Sequence, residues 1–92
     1  MIFEWDPAKA AKNYRKHKVT FAEAAAVFLD PLAITFDDPD HSEAEDRFIT
    51  IGHSRRNQLL FVAHTDRKER IRIISARRAT RKETHEYEEG AF

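Results

Sequence analysis

Residues 58–77 read QLLFVAHTDRKERIRIISAR, two β-rich runs separated by a short polar break. Gln58 to Thr65 sets Leu60, Val62 and His64 on one face and Leu59, Phe61, Ala63 and Thr65 on the other, the alternation of a strand. Asp66 to Lys68 then supplies a turn, and Glu69 to Arg77, rich in isoleucine, supplies the next strand. Working upstream, Arg47 to Gly52 is a third strand joined through the turn His53 to Asn57, so three strands form an antiparallel meander. Leu32 to Phe36 reads as a further strand, followed by an acidic loop from Asp37 to Asp46. Ile2 to Trp5 suits a short opening strand that stops at Asp6 and Pro7, an N-cap and first-turn pair, and helix one runs from there to about His17. Val19 to Phe28 is a second helix, opened by a capping box from Thr20 to Glu23 and ended by Pro31. Downstream, the capping box Thr80 to Glu83 starts a last helix that runs to Glu89 and stops at Gly90. The order β-α-α-β-β-β-β-α predicts an α+β fold over residues 1–92, a single domain with helices packed on a twisted antiparallel sheet.

The chain has 92 residues and no cysteine, which excludes a disulfide framework and thiolate-bound zinc. Folding must come from apolar packing, near the small end of what one core sustains. The opening Met1-Ile2-Phe3-Glu4-Trp5-Asp6 has no basic start and no apolar stretch of signal type, and no segment is long and apolar enough to span a bilayer. A cytoplasmic location is expected.

The 16 basic and 16 acidic residues cancel, yet they are not mixed evenly. Up to Asp46 the chain has 5 Lys/Arg against 10 Asp/Glu, and from Arg47 onward it has 11 against 6, so the halves carry −5 and +5. Arg70, Arg72, Arg77, Arg78, Arg81 and Lys82 are threaded along the last strand and helix, the pattern of a surface for a polyanion such as a phosphate backbone. Pairing between the two halves is the competing explanation.

Several words along the chain go beyond such patterns. Phe3-Glu4-Trp5-Asp6, Asn13-Tyr14-Arg15-Lys16-His17, Phe21 with Ala24, Glu45-Asp46-Arg47, Ile51-Gly52, His64-Thr65 and Arg72-Ile73-Ile74-Ser75-Ala76-Arg77-Arg78-Ala79, followed by Glu83 and Tyr87, resemble the BrnT family. The resemblance implies a RelE-like fold, a ribonuclease toxin of a type II toxin–antitoxin module, RNA as substrate, and a BrnA-like antitoxin protein as partner in a hetero-oligomer. Glycine often follows the Lys-His pair in that family; Lys18 stands there in this chain, where a left-handed residue is expected to cost about 1 kcal/mol.

RNA can be cut without a metal ion when its 2′-OH attacks the adjacent phosphate. The protein then supplies a base, an acid, and positive charge for the transition state. Lys16, His17, Glu45 and His64 are the candidates for proton transfer, histidine because both its protonation states are available near neutrality. Arg47, Arg72 and Arg77 are the candidate catalytic cations, since a guanidinium grips two phosphate oxygens and stays charged. Arg70, Arg78 and Arg81 are candidate RNA contacts. Each has an ordinary alternative: a helix C-cap for His17, a solvated helix end for Lys16, a capped strand end for His64, a surface salt bridge for Glu45 with Arg47. Strict alternation sends Arg70 and Arg72 to one face and Arg77 to the other, so either the strand bulges or these arginines have separate tasks. The acidic loop lacks the glycine of a calcium loop and contains Pro39, and no metal or other cofactor is expected. The rival to an enzyme is a binding module that uses the strand and helix of 69–82 to hold nucleic acid or protein without chemistry.

Overall fold

The computed structural model describes residues 1–38 and 46–92. Ile2–Glu4 forms β1, and the chain then enters α1, Pro7–His17. The Asp6 carboxylate accepts a hydrogen bond from the Ala8 amide at 2.9 Å, and Pro7 takes a position whose amide would have had no helical partner. Arg15, Lys16 and His17 fill the last turn, where cations suit the negative end of the helix dipole. Lys18 ends the helix in the left-handed region, at φ 60° and ψ 29°, its amide donating to the Tyr14 carbonyl at 2.8 Å.

Helix α2, Phe21–Ala26, starts two residues later than expected and tightens into one 3-10 turn over Val27–Leu29. Its cap is made from one side: the Thr20 hydroxyl accepts from the Glu23 amide at 3.0 Å, whereas the Glu23 carboxylate accepts from the Ser54 hydroxyl at 3.0 Å and ties the helix to the turn beyond β3. The strands are β2, Ile34–Asp37; β3, Arg47–His53; β4, Leu59–Arg67; and β5, Arg70–Arg78. They are followed by α3, Arg81–Glu88, with both bonds of the Thr80–Glu83 capping box present. The element order is the expected one, in an α+β arrangement.

The sheet runs β1-β5-β4-β3-β2. β2 to β5 form the antiparallel meander, but β1 joins β5 in parallel, Glu4 opposite Arg72, so the sheet is mixed and not wholly antiparallel. The chain leaves β1 at one edge, crosses over a face through α1 and α2, and re-enters at the far edge as β2. A three-residue strand with no turn linking it to its neighbour carries no signal of that pairing.

The crossover face holds the main core, Val19, Phe21, Ala24 and Val27 from the helical segment against Leu60, Val62, Ile73 and Ala76 from the sheet. Asn13 is buried there and makes three bonds: its amide nitrogen donates to the carbonyls of Val19 and Ala76 at 3.0 and 2.9 Å, and its oxygen accepts from the Ala76 amide at 3.0 Å. Since β1 pairs only with residues 70–72, this carboxamide takes the place of the peptide that a longer β1 would have offered to Ala76. Gly52 lets the 3-10 turn come close, because a Cβ there would meet Val27 Cγ1 and Ala33 Cβ at 2.9 Å each. On the opposite face α3 and the C-terminus cover one half: Tyr87 donates its hydroxyl to the Leu32 carbonyl at 2.7 Å, and Phe92 stacks on Phe36 and meets the edge of Phe61.

β5 carries one residue more than its partner. Ala63 pairs with Ser75 and His64 with Ile73, leaving Ile74 as a bulge.

Glycine at position 18 keeps the helix end and removes the strain of a side chain at positive φ. Lys18→Gly is expected to raise stability by about 1 kcal/mol, or the melting temperature by about 4–8 °C in a domain of this size, with thermal denaturation as the check.

Candidate active site

Residues directly opposite one another on neighbouring strands share a face. Through the register, Phe61, Ala63, Thr65 and Arg67 of β4 lie on the face away from the main core, and with them Arg47 of β3 opposite Thr65. Ahead of the bulge, Arg70 and Arg72 of β5 stand opposite Arg67 and Thr65; beyond it, Ser75 and Arg77 stand opposite Ala63 and Phe61. Ile74 absorbs the change of parity. Five arginines from three strands, Arg47, Arg67, Arg70, Arg72 and Arg77, therefore project from one face, and strict alternation would have sent Arg77 into the core. Arg67 and Arg70 stand directly opposite each other on adjoining strands.

Among the described residues Glu4 and Glu83 each meet an arginine of this face, and Asp38 stands across from Arg47, its amide donating to the Arg47 carbonyl at 2.9 Å. Glu4 of β1 lies beside Arg72 at 3.4 Å, each side chain 28% exposed, a long contact and a weak one in the presence of solvent. Glu83 of α3 takes Arg77 in a two-point grip at 2.8 and 2.9 Å while the guanidinium lies over the Phe61 ring, 4.6 Å from its centroid. The hydrogen bonds from Arg77 are the main cause that brings the Glu83 carboxyl down to about 2, and the same bonds raise Arg77 further above its ordinary range. Arg77 thus shares the face but is held by α3.

His64 lies on the other side of the sheet. β4 continues past it to Arg67, so it does not close the strand as expected. It is 3% exposed and enclosed between the rings of Phe28 and Phe48, with centroids at 4.9 and 5.8 Å. Nδ1 is 3.2 Å from the Asp66 carboxylate and Nε2 is 2.8 Å from the Thr50 hydroxyl, which is itself 2.7 Å from that of Thr35. A neutral ring protonated at Nδ1 fits this chain, donating to Asp66 and accepting from Thr50. Burial pushes the imidazole pKa down, and the nearby Asp66 only partly opposes it. The geometry is that of an internal hydrogen-bonding group sealed from substrate.

Lys16 and His17 end α1, which packs on the main-core face, so the structure does not bring them to the arginines of the opposite face. Arg78, opposite Leu60, also belongs to the main-core face, exposed at its margin. Arg81 is exposed in the first turn of α3. Glu45 and the acidic loop from Pro39 onward, with Asp40 and Glu43, lie outside the described residues. Among the described residues no three His, Cys, Asp or Glu side chains gather as a metal site, and no helix is long and apolar enough to cross a membrane. The sequence reading missed Arg67 and Glu4. Extending the alternation of β4 by two residues would have found the first, and nothing in the sequence signals the parallel pairing that delivers the second.

A family model described as ribonuclease toxin, BrnT, of type II toxin–antitoxin system matches residues 5–83. The crystal structure of the Brucella abortus ribonuclease toxin, BrnT, superposes with a TM-score of 0.69 at 25% sequence identity, covering 88% of this chain and 100% of that one. No curated protein sequence matches.

The lowered pKa of His64 fixes the sign of a pH effect. In the unfolded chain the ring takes a proton at its ordinary pKa of about 6.5, and in the folded chain it resists protonation, so its contribution is complete above that value and is lost as pH falls below it. Melting temperature is expected to fall between pH 7.5 and 5, and to fall less in His64→Gln, which keeps a polar group beside Thr50 and does not titrate.

Proposed function

The chain belongs to the BrnT family of ribonuclease toxins of type II toxin–antitoxin systems, and from that footing we propose that it is an endoribonuclease that cuts RNA without a metal ion on the arginine face of its sheet. The observation that carries this reading is the strand register, which sets Arg47, Arg67, Arg70 and Arg72 on one face, with Arg77 added to them by the bulge at Ile74.

The reaction needs no partner but RNA. A base removes the 2′-OH proton, the 2′ oxygen bonds to phosphorus, the bond from phosphorus to the 5′ oxygen breaks, and an acid returns a proton to that oxygen. The products are a 2′,3′-cyclic phosphate and a 5′-OH. Arg72 with Arg47 stabilises the charge that collects on the phosphoryl oxygens in the transition state, which is the task a metal ion performs elsewhere. Arg70 and Arg67 hold the adjoining backbone. Arg77 joins them when the incoming phosphate competes with Glu83. Glu4, beside Arg72, is a carboxylate within reach of this face for proton transfer. Glu45, two positions ahead of Arg47, remains the second carboxylate of the proposal from sequence. His64 serves the fold in this scheme, and Lys16, His17 and Arg78 serve the opposite surface.

The whole of residues 1–92 acts as one toxin domain in the cytoplasm, where its substrate is found. Its partner is a BrnA-like antitoxin whose acidic segment covers the arginine face and excludes RNA by occupancy, with fast and salt-sensitive association.

Antitoxin-free protein is expected to cleave single-stranded RNA in EDTA and to leave cyclic or 2′/3′-phosphate ends. Loss of cleavage in EDTA with recovery in magnesium would overturn the mechanism, and binding without cleavage under both conditions would leave a non-catalytic RNA-binding surface.

Arg72→Ala should lower turnover by about 2–4 kcal/mol of transition-state stabilisation, whereas Arg81→Ala should change it little. Single-turnover rates of variants that melt like the parent decide this. Equal losses at both positions would point to diffuse attraction instead.

Co-expression with the product of the adjacent gene, purified through a tag on that product alone, should recover a stable complex that does not cut RNA. A toxin chain that emerges alone and harmless would overturn the antitoxin assignment.

A further inference from the structure

Thr65 lies at the middle of the arginine face, directly opposite Arg47 on one neighbouring strand and Arg72 on the other. It is 1% exposed, and its hydroxyl is the buried side-chain polar atom that has no hydrogen-bond partner among the described residues. Thr50 makes the contrast plain. It too is 1% exposed, on the opposite face, and its hydroxyl is bonded to both Thr35 and His64. Buried hydroxyls in native proteins are satisfied as Thr50 is, and one that is not calls for a ligand or a reason. Valine would fill the same space without stranding a donor.

The surroundings of Thr65 point to the ligand. Arg47 and Arg72 flank it, Arg67 and Arg70 stand opposed one step along the same face, and Glu4 touches Arg72. An anion with several oxygens would satisfy the stranded hydroxyl and be gripped by the flanking guanidiniums together, and a phosphodiester has that chemistry. Resting on the ribonuclease reading above, we infer that the Thr65 hydroxyl donates a hydrogen bond to a non-bridging oxygen of the RNA phosphate held between Arg72 and Arg47. In the free protein Thr65 is buried. The Arg72 contact with Glu4, at 3.4 Å and partly exposed, is one that a phosphate can displace, and the donor role requires that the hydroxyl be uncovered as Arg72 shifts onto the phosphate. Such a donor adds direction to charge, because guanidiniums attract any phosphate while a single hydroxyl on a rigid strand positions one oxygen.

The test compares Thr65→Val, Thr65→Ser and Arg72→Ala in the full chain freed of antitoxin. Single-turnover cleavage of a mixed-sequence single-stranded RNA is read beside the melting temperature. Affinity for the same RNA with 2′-O-methyl riboses, which cannot be cut, is read as well, so the donor is tested even if the chain cleaves nothing. Thr65→Val should melt at or above the parent and lose about tenfold or more in cleavage or in affinity, as expected for a hydrogen bond to a charged group. Thr65→Ser should stay close to the parent. Should Thr65→Val fail to fold, Thr65→Ala takes its place with the same expectation. If Thr65→Val keeps full cleavage and affinity while Arg72→Ala loses them, the inference is overturned and the arginine face stands. If Arg72→Ala is also unaffected, the face itself is wrong. If serine is as damaging as valine, the position acts through shape and the donor role is excluded.

Discussion

A strand that faces water on one side and a core on the other must keep its alternation in step with its neighbours, and β5 does so only by inserting one residue. Ile74 has no partner on β4, and that single extra residue lets Ile73 and Ala76, three apart and not two, both point to the main core. It also lets Arg72 and Arg77, five apart, both point away from it. Without the bulge, the residues beyond it would exchange faces, burying Arg77 against Val62 and Phe21 and turning Ala76 outward, which no small core could sustain. The bulge therefore sets both the packing and the arrangement of the arginines by one displacement.

Asn13 holds this arrangement in place from the side. β1 is too short to accompany β5 past Arg72, and the exposed peptide at Ala76 would be left without a neighbour just where the strand has been bent. The Asn13 carboxamide supplies both halves of the missing ladder rung and bonds the Val19 carbonyl as well. The helix, the connector after it and the bulged strand are thereby joined by one buried polar group, fully satisfied and for that reason specific in where it can sit.

Charge is sorted by the two faces in the same way. Among the described residues, the strands contribute five guanidiniums and Glu4 to the arginine face, Glu83 is added by α3, and Asp38 stands across from Arg47. His64 is on the other face. His64, whose residue type invites a catalytic role, is walled in by Phe28 and Phe48 and takes its proton arrangement from Asp66 and Thr50. The hydroxyls of Thr50 and Thr65 divide the same way, one bound into the interior and one on the side of the arginines without a partner among the described residues.

How far these features could be read from the chain depends on how local their causes are. The helix caps at Asp6, Thr20 and Thr80, the stop at His17 and the meander of three strands from Arg47 follow from caps, turns and alternation within a few residues, and these were legible, with the second helix begun two residues early and the last strand ended one residue short. The BrnT resemblance was legible too, since its words are spread over nearly the whole chain. The parallel pairing of β1, the handover of Glu23 to Ser54, and the enclosure of His64 depend on residues far apart in sequence. Alternation alone misplaced Arg77, because a bulge leaves no mark in residue types: Ile73, Ile74, Ser75 and Ala76 fit either register, and only the competition between β4, Asn13 and the core for the same strand decides it. By itself the sequence determined which segments form helices and strands and that a positive surface is built from the last of them, for those are properties of neighbouring residues. Which arginines share a face, and which buried group is left for a ligand, was decided by the tertiary structure, because faces are defined only once strands are in register.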